Sequence, residues 1–300
     1  MIIDAHCHFW EESLMSDELR NIIYGICDQF NFDPAKLMNG TAERLIKEMD
    51  EAGIDKTVLL GLDYEFHYKG KVSYQYVNDY LANIIKEYPD RIIGFAGIDP
   101  RRGKAAIQEL ERCVEEHGFK GVKLWPLTGF YPDDQDFYSF YERVEELGVV
   151  ILCHTGQCPP GGYLKYCRPI YIDKLAVDFP NIKIIMAHIS RPWSEEAIIV
   201  AANNRNVYFD ISSWQPIFKI ASIALIQTLV QAKLTCGIEK ILFGTDWPLF
   251  TSSISNADWV KGIKKLKLPP PLKLMGDFPE FTEDDKNKIL GENAAKVLNL

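Results

Sequence analysis

Eight short runs of aliphatic and β-branched residues recur along the chain, and stretches of helical period lie between them. The runs fall at 2–6, 57–62, 92–98, 121–125, 149–154, 182–188, 207–211 and 240–245. Phe137, Phe140, Tyr141, Val144 and Leu147 repeat at the spacing of one helix face, and so do Ile107, Leu110 and Val114. Gly118 stands where the latter helix should stop, and Gly53 closes another built on Leu45, Ile46 and Met49. Eight strands alternating with helices predict an α/β chain folded as a (β/α)8 TIM barrel. An open doubly wound sheet is the alternative, but it normally carries a glycine-rich phosphate loop after its first strand. Here the first run enters His6-Cys7-His8-Phe9-Trp10, with no glycine.

Several segments depart from the repeat. Residues 9–40 form an insertion after strand 1, with a helix expected around 17–27. Loops 63–73 and 156–170 are aromatic and rich in Pro or Gly, and Thr282-Glu283-Asp284-Asp285 reads as a capping box opening the C-terminal helices. No linker composition breaks the chain, so residues 1–300 are expected to form a single domain. A net charge of −9 argues against nucleic acid and anionic membrane surfaces. Seven cysteines, odd in number and without a CxxC pair, argue against a disulfide framework and fit a reducing cytoplasm. No basic, apolar leader is expected, and the longest apolar stretch, 217–234, is broken by Lys219, Gln227 and Gln231.

The chemistry gathers at strand ends. Side chains alternate along a strand, so His6 and His8 share a face about 7 Å apart and Cys7 points away. His154 ends the fifth run, His188 the sixth, Asp246 follows the eighth, and Lys123 lies near the end of the fourth. In this barrel type that rim carries the active site. Each residue alone reads equally as a hydrogen-bonded core group or, for Asp246, a turn cap. Together they must all be satisfied in one mouth, at ~2–7 kcal/mol per polar group left unpaired. One divalent cation would satisfy them jointly, and imidazoles with a carboxylate suit Zn²⁺ first, with Mn²⁺ or Fe²⁺ as alternatives.

Asp4-Ala5-His6-Cys7-His8, Gly121-Val122-Lys123-Leu124, His154-Thr155-Gly156, Ala187-His188, Gly244-Thr245-Asp246-Trp247-Pro248 and Ile289-Leu290-Gly291-Glu292-Asn293-Ala294 occur in that order from one end to the other. In these pieces the chain resembles the amidohydrolase superfamily, in its amidohydrolase-related (amidohydrolase 2) branch. Similar members are metal-dependent hydrolases and the decarboxylases of aminocarboxymuconate semialdehyde and hydroxybenzoates. The resemblance implies that His6, His8, His154 and Asp246 ligate a metal, that His188 assists at the substrate, and that the Asn293 segment is structural. It also implies a homodimer. A carbamylated Lys123 bridging a second metal is one reading of that residue. A plain cation beside the substrate or Asp246, and a structural ion pair, are the others.

The first functional reading is a hydrolase in which metal-activated water attacks a lactone, amide or ester, with Asp246 and His188 as the catalytic pair. The second is a non-oxidative decarboxylase of a small aromatic or muconate-type acid, built on the same residues. A non-catalytic ligand-binding barrel is the third. Trp10, Trp125, Trp214 and Trp247 near strand ends suggest a flat small-molecule substrate. Arg191 would hold a substrate carboxylate or pair with a loop acid, while Arg168 and His67 are weaker candidates. Cys7 and Cys153 are expected to be core.

Overall fold

The computed structural model describes the backbone of residues 1–300 and the side chains of all but residues 29 and 30. Eight parallel strands follow one another in sequence order: β1 (Ile3–His8), β2 (Lys56–Leu60), β3 (Ile92–Gly97), β4 (Gly121–Leu124), β5 (Val150–Cys153), β6 (Ile184–Met186), β7 (Val207–Asp210) and β8 (Ile241–Leu242). The seam between β8 and β1 is carried by three bonds: Ala5 N–H to Phe243 O at 2.9 Å, Asp246 N–H to His6 O at 2.7 Å and His8 N–H to Trp247 O at 2.7 Å. The result is a nearly closed (β/α)8 barrel, as the alternation predicts.

Two helices, α1 (Asp17–Phe30) and α2 (Pro34–Met38), fill the insertion after β1, and α3 (Ala42–Ala52) leads into β2. The helices α4 (Tyr74–Glu87), α5 (Lys104–Glu115), α6 (Tyr138–Leu147), α7 (Ile170–Asp178), α8 (Ser194–Asn203), α9 (Gln215–Thr235) and α10 (Asn256–Lys264) follow β2 to β8 in turn. Three short helices, α11 (Pro270–Met275), α12 (Glu283–Asn287) and α13 (Asn293–Leu298), end the chain. The Thr282–Asp285 capping box opens α12, and Gly53 takes the left-handed conformation that ends α3 (φ 69°).

The strands bury side chains on both faces. Ile3, Ala5, Leu60, Phe95, Leu152 and Leu242 fill the barrel interior, and Ala294, Val297 and Leu298 of the α13 region pack against the same cluster. A larger apolar layer lies between strands and helices, and it includes Cys7 and Cys153. Asn293 is structural, as expected: its Nδ2 donates to the carbonyls of Ile238 and Ile241 at 2.8 Å each.

Three strand expectations need correction. β1 runs on to His8, and its pairing with β2 slips between Asp4 and Cys7. This irregularity lets Ala5 join the interior while the chain re-phases so that Cys7 points outward. β8 stops at Leu242, because the next amide, Phe243 N–H, donates to Ile289 O (2.9 Å) in the terminal segment. β6 stops at Met186, because His188, Ile189 and Ser190 take φ of 64°, 44° and 49°. The longest apolar stretch, 217–234, lies within α9. This helix is 21 residues long and its most apolar 18-residue window has mean hydropathy 1.4, enough by length and composition to cross a membrane, yet it buries Leu225, Leu229 and Val230 against the barrel.

Two glycines should respond oppositely to alanine. A Cβ on Gly97 would meet Leu62 N at 2.4 Å and Gly61 C at 2.5 Å, both backbone atoms that cannot step aside. Gly25 is exposed within α1, and a Cβ there would meet nothing within 4 Å. Urea unfolding should show Gly97→Ala less stable by ~1–3 kcal/mol and Gly25→Ala more stable by ~0.5–1 kcal/mol.

Candidate metal centre and adjoining pocket

β1 and the turn after β8 build the centre. His6 and His8 bring their Nε2 atoms to 3.2 Å, and Asp246 Oδ1 lies 3.6 Å from the first and 3.5 Å from the second. All three side chains are buried. Burial holds both imidazoles well below the usual histidine range, and neighbouring cationic groups add to it. Burial also pushes the Asp246 carboxyl up to about 7, against the pull of Lys123. Two neutral imidazoles and a carboxylate aimed at one small space, with no amide or hydroxyl donor among them, are the donor set of a divalent cation. The residues present fit such an ion.

Asp210, at the end of β7, sets the tautomers. Its Oδ2 accepts from His6 Nδ1 at 2.9 Å. Its Oδ1 accepts from the His188 amide at 3.1 Å, the Ser212 amide at 2.9 Å and the Ser212 hydroxyl. With its proton committed to Asp210, the Ser212 hydroxyl accepts from His188 Nδ1 at 2.8 Å. Both imidazoles therefore carry their proton on Nδ1 and leave Nε2 as a lone pair. Sequence reasoning missed Asp210 and Ser212. The signal was present: an acid ends the seventh run, the same strand-end position that selected the others.

The backbone is also strained here. Positive φ occurs at His188, Ile189, Ser190, Ser213 and Asp246, whereas the other non-glycine cases, Asn31 and Asn299, sit at helix ends. Such conformations cost ~1–3 kcal/mol each and cluster at functional sites.

The remaining expected residues divide. Lys123 is buried with Nζ 3.4 Å from His6 Nε2. Burial moves its pKa down to about 8, opposed by Asp210 and Asp246. The structural ion pair expected as one reading is not formed within 4 Å among the described residues. His154 lies in the same mouth, its ring 5.2 Å from that of His188, but its Nε2–H donates to Gln157 O at 3.0 Å. It groups with Cys158 and Cys167 instead of with His6, His8 and Asp246.

Trp10 stacks near His8, centroids 6.0 Å apart, and lines a cavity together with Trp125, Tyr68 and Leu60. Leu60 is the β2 residue paired with His8, so the cavity abuts the centre. Leu19, Ile22, Ile23 and Ile26 of α1 complete its wall, and the space measures about 790 Å³ counting its open mouth. Trp247 is a correction: it is fully buried in the outer layer, donates from Nε1 to Glu48 at 2.8 Å and lies under Arg44. Its position after the β8 turn sends the ring away from the mouth. Trp214 likewise is core and donates to His188 O at 2.8 Å. Arg191 reaches Gln157 Oε1 at 3.4 Å, with no loop acid within ion-pair distance among the described residues. Arg168 pairs with Glu196, and His67 donates to Gly161 O at 2.7 Å.

Metal analysis after gel filtration should separate these roles. His6→Ala and His8→Ala should each lose the resident metal. Asp210→Asn should weaken metal affinity ~10–100-fold by releasing the ring of His6, and Trp247→Phe should leave metal content unchanged.

Comparison with known proteins agrees with the barrel fold. The chain is 25% identical over 287 residues to 2-amino-3-carboxymuconate-6-semialdehyde decarboxylase of Dictyostelium discoideum, covering 85% of this chain and 76% of that one. It is 27% identical over 309 residues to gamma-resorcylate decarboxylase of a Polaromonas species, covering 86% and 87%. Among solved structures, a TIM-barrel protein from Bordetella bronchiseptica superposes with TM-score 0.74, at 24% identity over 99% of this chain and 98% of the other. A dihydroxybenzoic acid decarboxylase from Polaromonas with bound manganese and 2-nitroresorcinol gives TM-score 0.68, at 22% identity over 100% and 97%. A probable 2-pyrone-4,6-dicarboxylic acid hydrolase from Acinetobacter baumannii gives 0.67, at 19% identity over 100% and 99%. The amidohydrolase family pattern matches residues 3–300, and with the barrel and its strand-end histidines already in place, the chain belongs to that family.

Proposed function

We propose that this chain is a metal-dependent non-oxidative decarboxylase of a small aromatic or muconate-type acid. The observation that carries the reading is the apolar, tryptophan-lined cavity abutting His8. A flat acid can lie between Trp10 and Trp125 with its polar end toward the centre. The Dictyostelium and Polaromonas relatives, which align with most of the chain, are decarboxylases, and this supports the reading over the hydrolase placed first from sequence.

His6, His8 and Asp246 would hold the cation, with His154 as the further imidazole of the mouth. Bound there, a divalent cation supplies Lewis-acid polarisation of a substrate oxygen. Zinc, manganese and iron all suit the donors, and the manganese bound in the Polaromonas neighbour supports considering that ion alongside zinc. Lys123 offsets the negative charge of an entering carboxylate. The apolar face of α1 excludes water from the ring. Asp246, whose carboxylate projects into the same space beside His6 and His8, donates a proton to the ring carbon bearing the carboxylate. The carbon–carbon bond then breaks, its electron pair returns to the ring, carbon dioxide leaves, and solvent reprotonates Asp246.

One observation favours hydrolysis as the second reading. The Ser212 contact leaves His188 Nε2 as a base, which suits deprotonation of water.

The two reactions differ in what they release. Incubation with 2,6-dihydroxybenzoate and related ortho-hydroxy or muconate-type acids should release carbon dioxide, with no oxygen from ¹⁸O-water in the remaining product. Incorporation of the label into an opened lactone or cleaved amide, with no carbon dioxide from any such acid, would overturn the proposal. Asp246→Asn should lower kcat by ~10²–10⁴. Trp10→Ala should raise KM several-fold with a smaller change in kcat.

A further inference from the structure

A second group of soft donors sits in the loop after β5. Cys158 Sγ and Cys167 Sγ are 3.3 Å apart, and a ring nitrogen of His154 lies within 4.8 Å of both. Cys167 and His154 are buried and Cys158 is half-buried, so the group touches solvent on one side. The other contacts of the two thiols are weak, whereas the imidazole already donates to Gln157 O at 3.0 Å, a bond a cation bound at that nitrogen would replace. The thiols reach Gly156 O at 3.9 Å and Tyr163 O at 3.8 Å, near the limit for sulfur.

The loop holds this geometry without help from the sulfurs. Gly156 N–H donates to Cys167 O at 2.8 Å, Gln157 N–H to Arg191 O at 2.7 Å and Tyr163 N–H to Leu127 O at 2.9 Å. Gly156 has φ 92°, and a Cβ there would meet Arg191 O at 2.5 Å, so the tight start of the loop requires glycine. The two cysteines are therefore brought together by the backbone and by packing.

We propose that His154, Cys158 and Cys167 form a second metal site, selective for a soft cation such as Zn²⁺ or Cd²⁺. In a tetrahedral zinc site with Zn–S of ~2.3 Å and Zn–N of ~2.0 Å, donors stand about 3.5–3.8 Å apart. The sulfurs need to part by only a few tenths of an ångström to reach that spacing. Three protein ligands leave the fourth position to solvent on the Cys158 side. Binding releases the thiol protons, and no electrons move. Filling the site also fixes His154 in the loop. On the decarboxylase or hydrolase reading alike, excess zinc would then deny that imidazole to the His6–His8–Asp246 centre. That consequence rests on the proposed function, whereas the binding does not.

The experiment adds Cd²⁺ to the purified protein under a phosphine reductant, which keeps both thiols reduced. Wild type should bind cadmium with an ultraviolet thiolate-to-metal charge-transfer band, and zinc should compete it away. Cys158→Ser and Cys167→Ser should each lose the band, while His6→Ala should keep it, separating this site from the first centre. In unmutated protein, Zn²⁺ should slow thiol-reagent modification of Cys158 and Cys167, read by peptide mass, which needs no variant to fold. Absence of the band in wild type, a band unchanged in both serine variants, or no zinc protection of these two thiols would overturn the proposal. If the band behaves as expected and the protein shows neither carbon dioxide release nor hydrolysis, the functional reading fails and the site stands.

Discussion

A single buried carboxylate ties the first strand to the segment after the last. Asp4 Oδ1 accepts from the amides of His6 at 3.1 Å and Thr245 at 3.0 Å, and its Oδ2 accepts from the Thr245 hydroxyl at 2.6 Å and the Cys7 thiol at 2.9 Å. Burial raises its pKa to about 6 against those four hydrogen bonds. The seam needs this clamp, because β8 has only two strand residues. His6 and His8 lie on one side of the seam and Asp246 on the other, so the spacing of three donors far apart in sequence depends on it. The centre is a by-product of closing the barrel at this point.

Position alone does not make a ligand; a lone pair must face the right way. Asp210 supplies that second condition for two imidazoles at once, directly for His6 and through Ser212 for His188. The arrangement also assigns different work to similar residues. His6 Nε2 faces His8 and Asp246, whereas His188, stacked on His6 with centroids 4.9 Å apart, keeps its own Nε2 free of that hydrogen-bond chain. A carboxylate behind a histidine thus decides which nitrogen does chemistry, and strand-end spacing cannot reveal it.

The fold was legible because strand and helix periods are local signals. All eight strands fall where β-branched runs stand, and the helix stops at Gly53 and Gly118 follow from the left-handed conformation each takes. The ends of β6 and β8 were not legible, because they are decided by a left-handed turn at His188 and by competition from Ile289. Within the site, His6, His8 and Asp246 could be read from strand ends. The direction of Trp247 could not, since one residue beyond Asp246 the chain has turned and the ring reaches Glu48 on α3. His154 sits where expected, yet a neighbouring carbonyl and two thiols, both close in sequence, claim its ring. Local hydrogen bonds in loops carry no period, so sequence reading is weakest there.

The insertion after β1 links the polar centre to the choice of reaction. Apolar residues of α1 face Trp10 and Trp125 across a cavity whose inner edge is marked by the His8–Leu60 pair. A hydrolase must admit water to the reacting carbon, whereas a decarboxylase gains by keeping water from a ring that loses its aromaticity when its carbon is protonated. Ser16 caps α1 and its apolar side packs into the cavity wall, so the segment is built to stay over the mouth. On the decarboxylase reading proposed above, an apolar roof favours a flat acid entering carboxylate first, because Lys123 and the centre offer the compensation for charge that the tryptophans and α1 do not. The physical case for carbon–carbon cleavage therefore lies in what surrounds the metal ligands, since the ligands themselves serve either reaction.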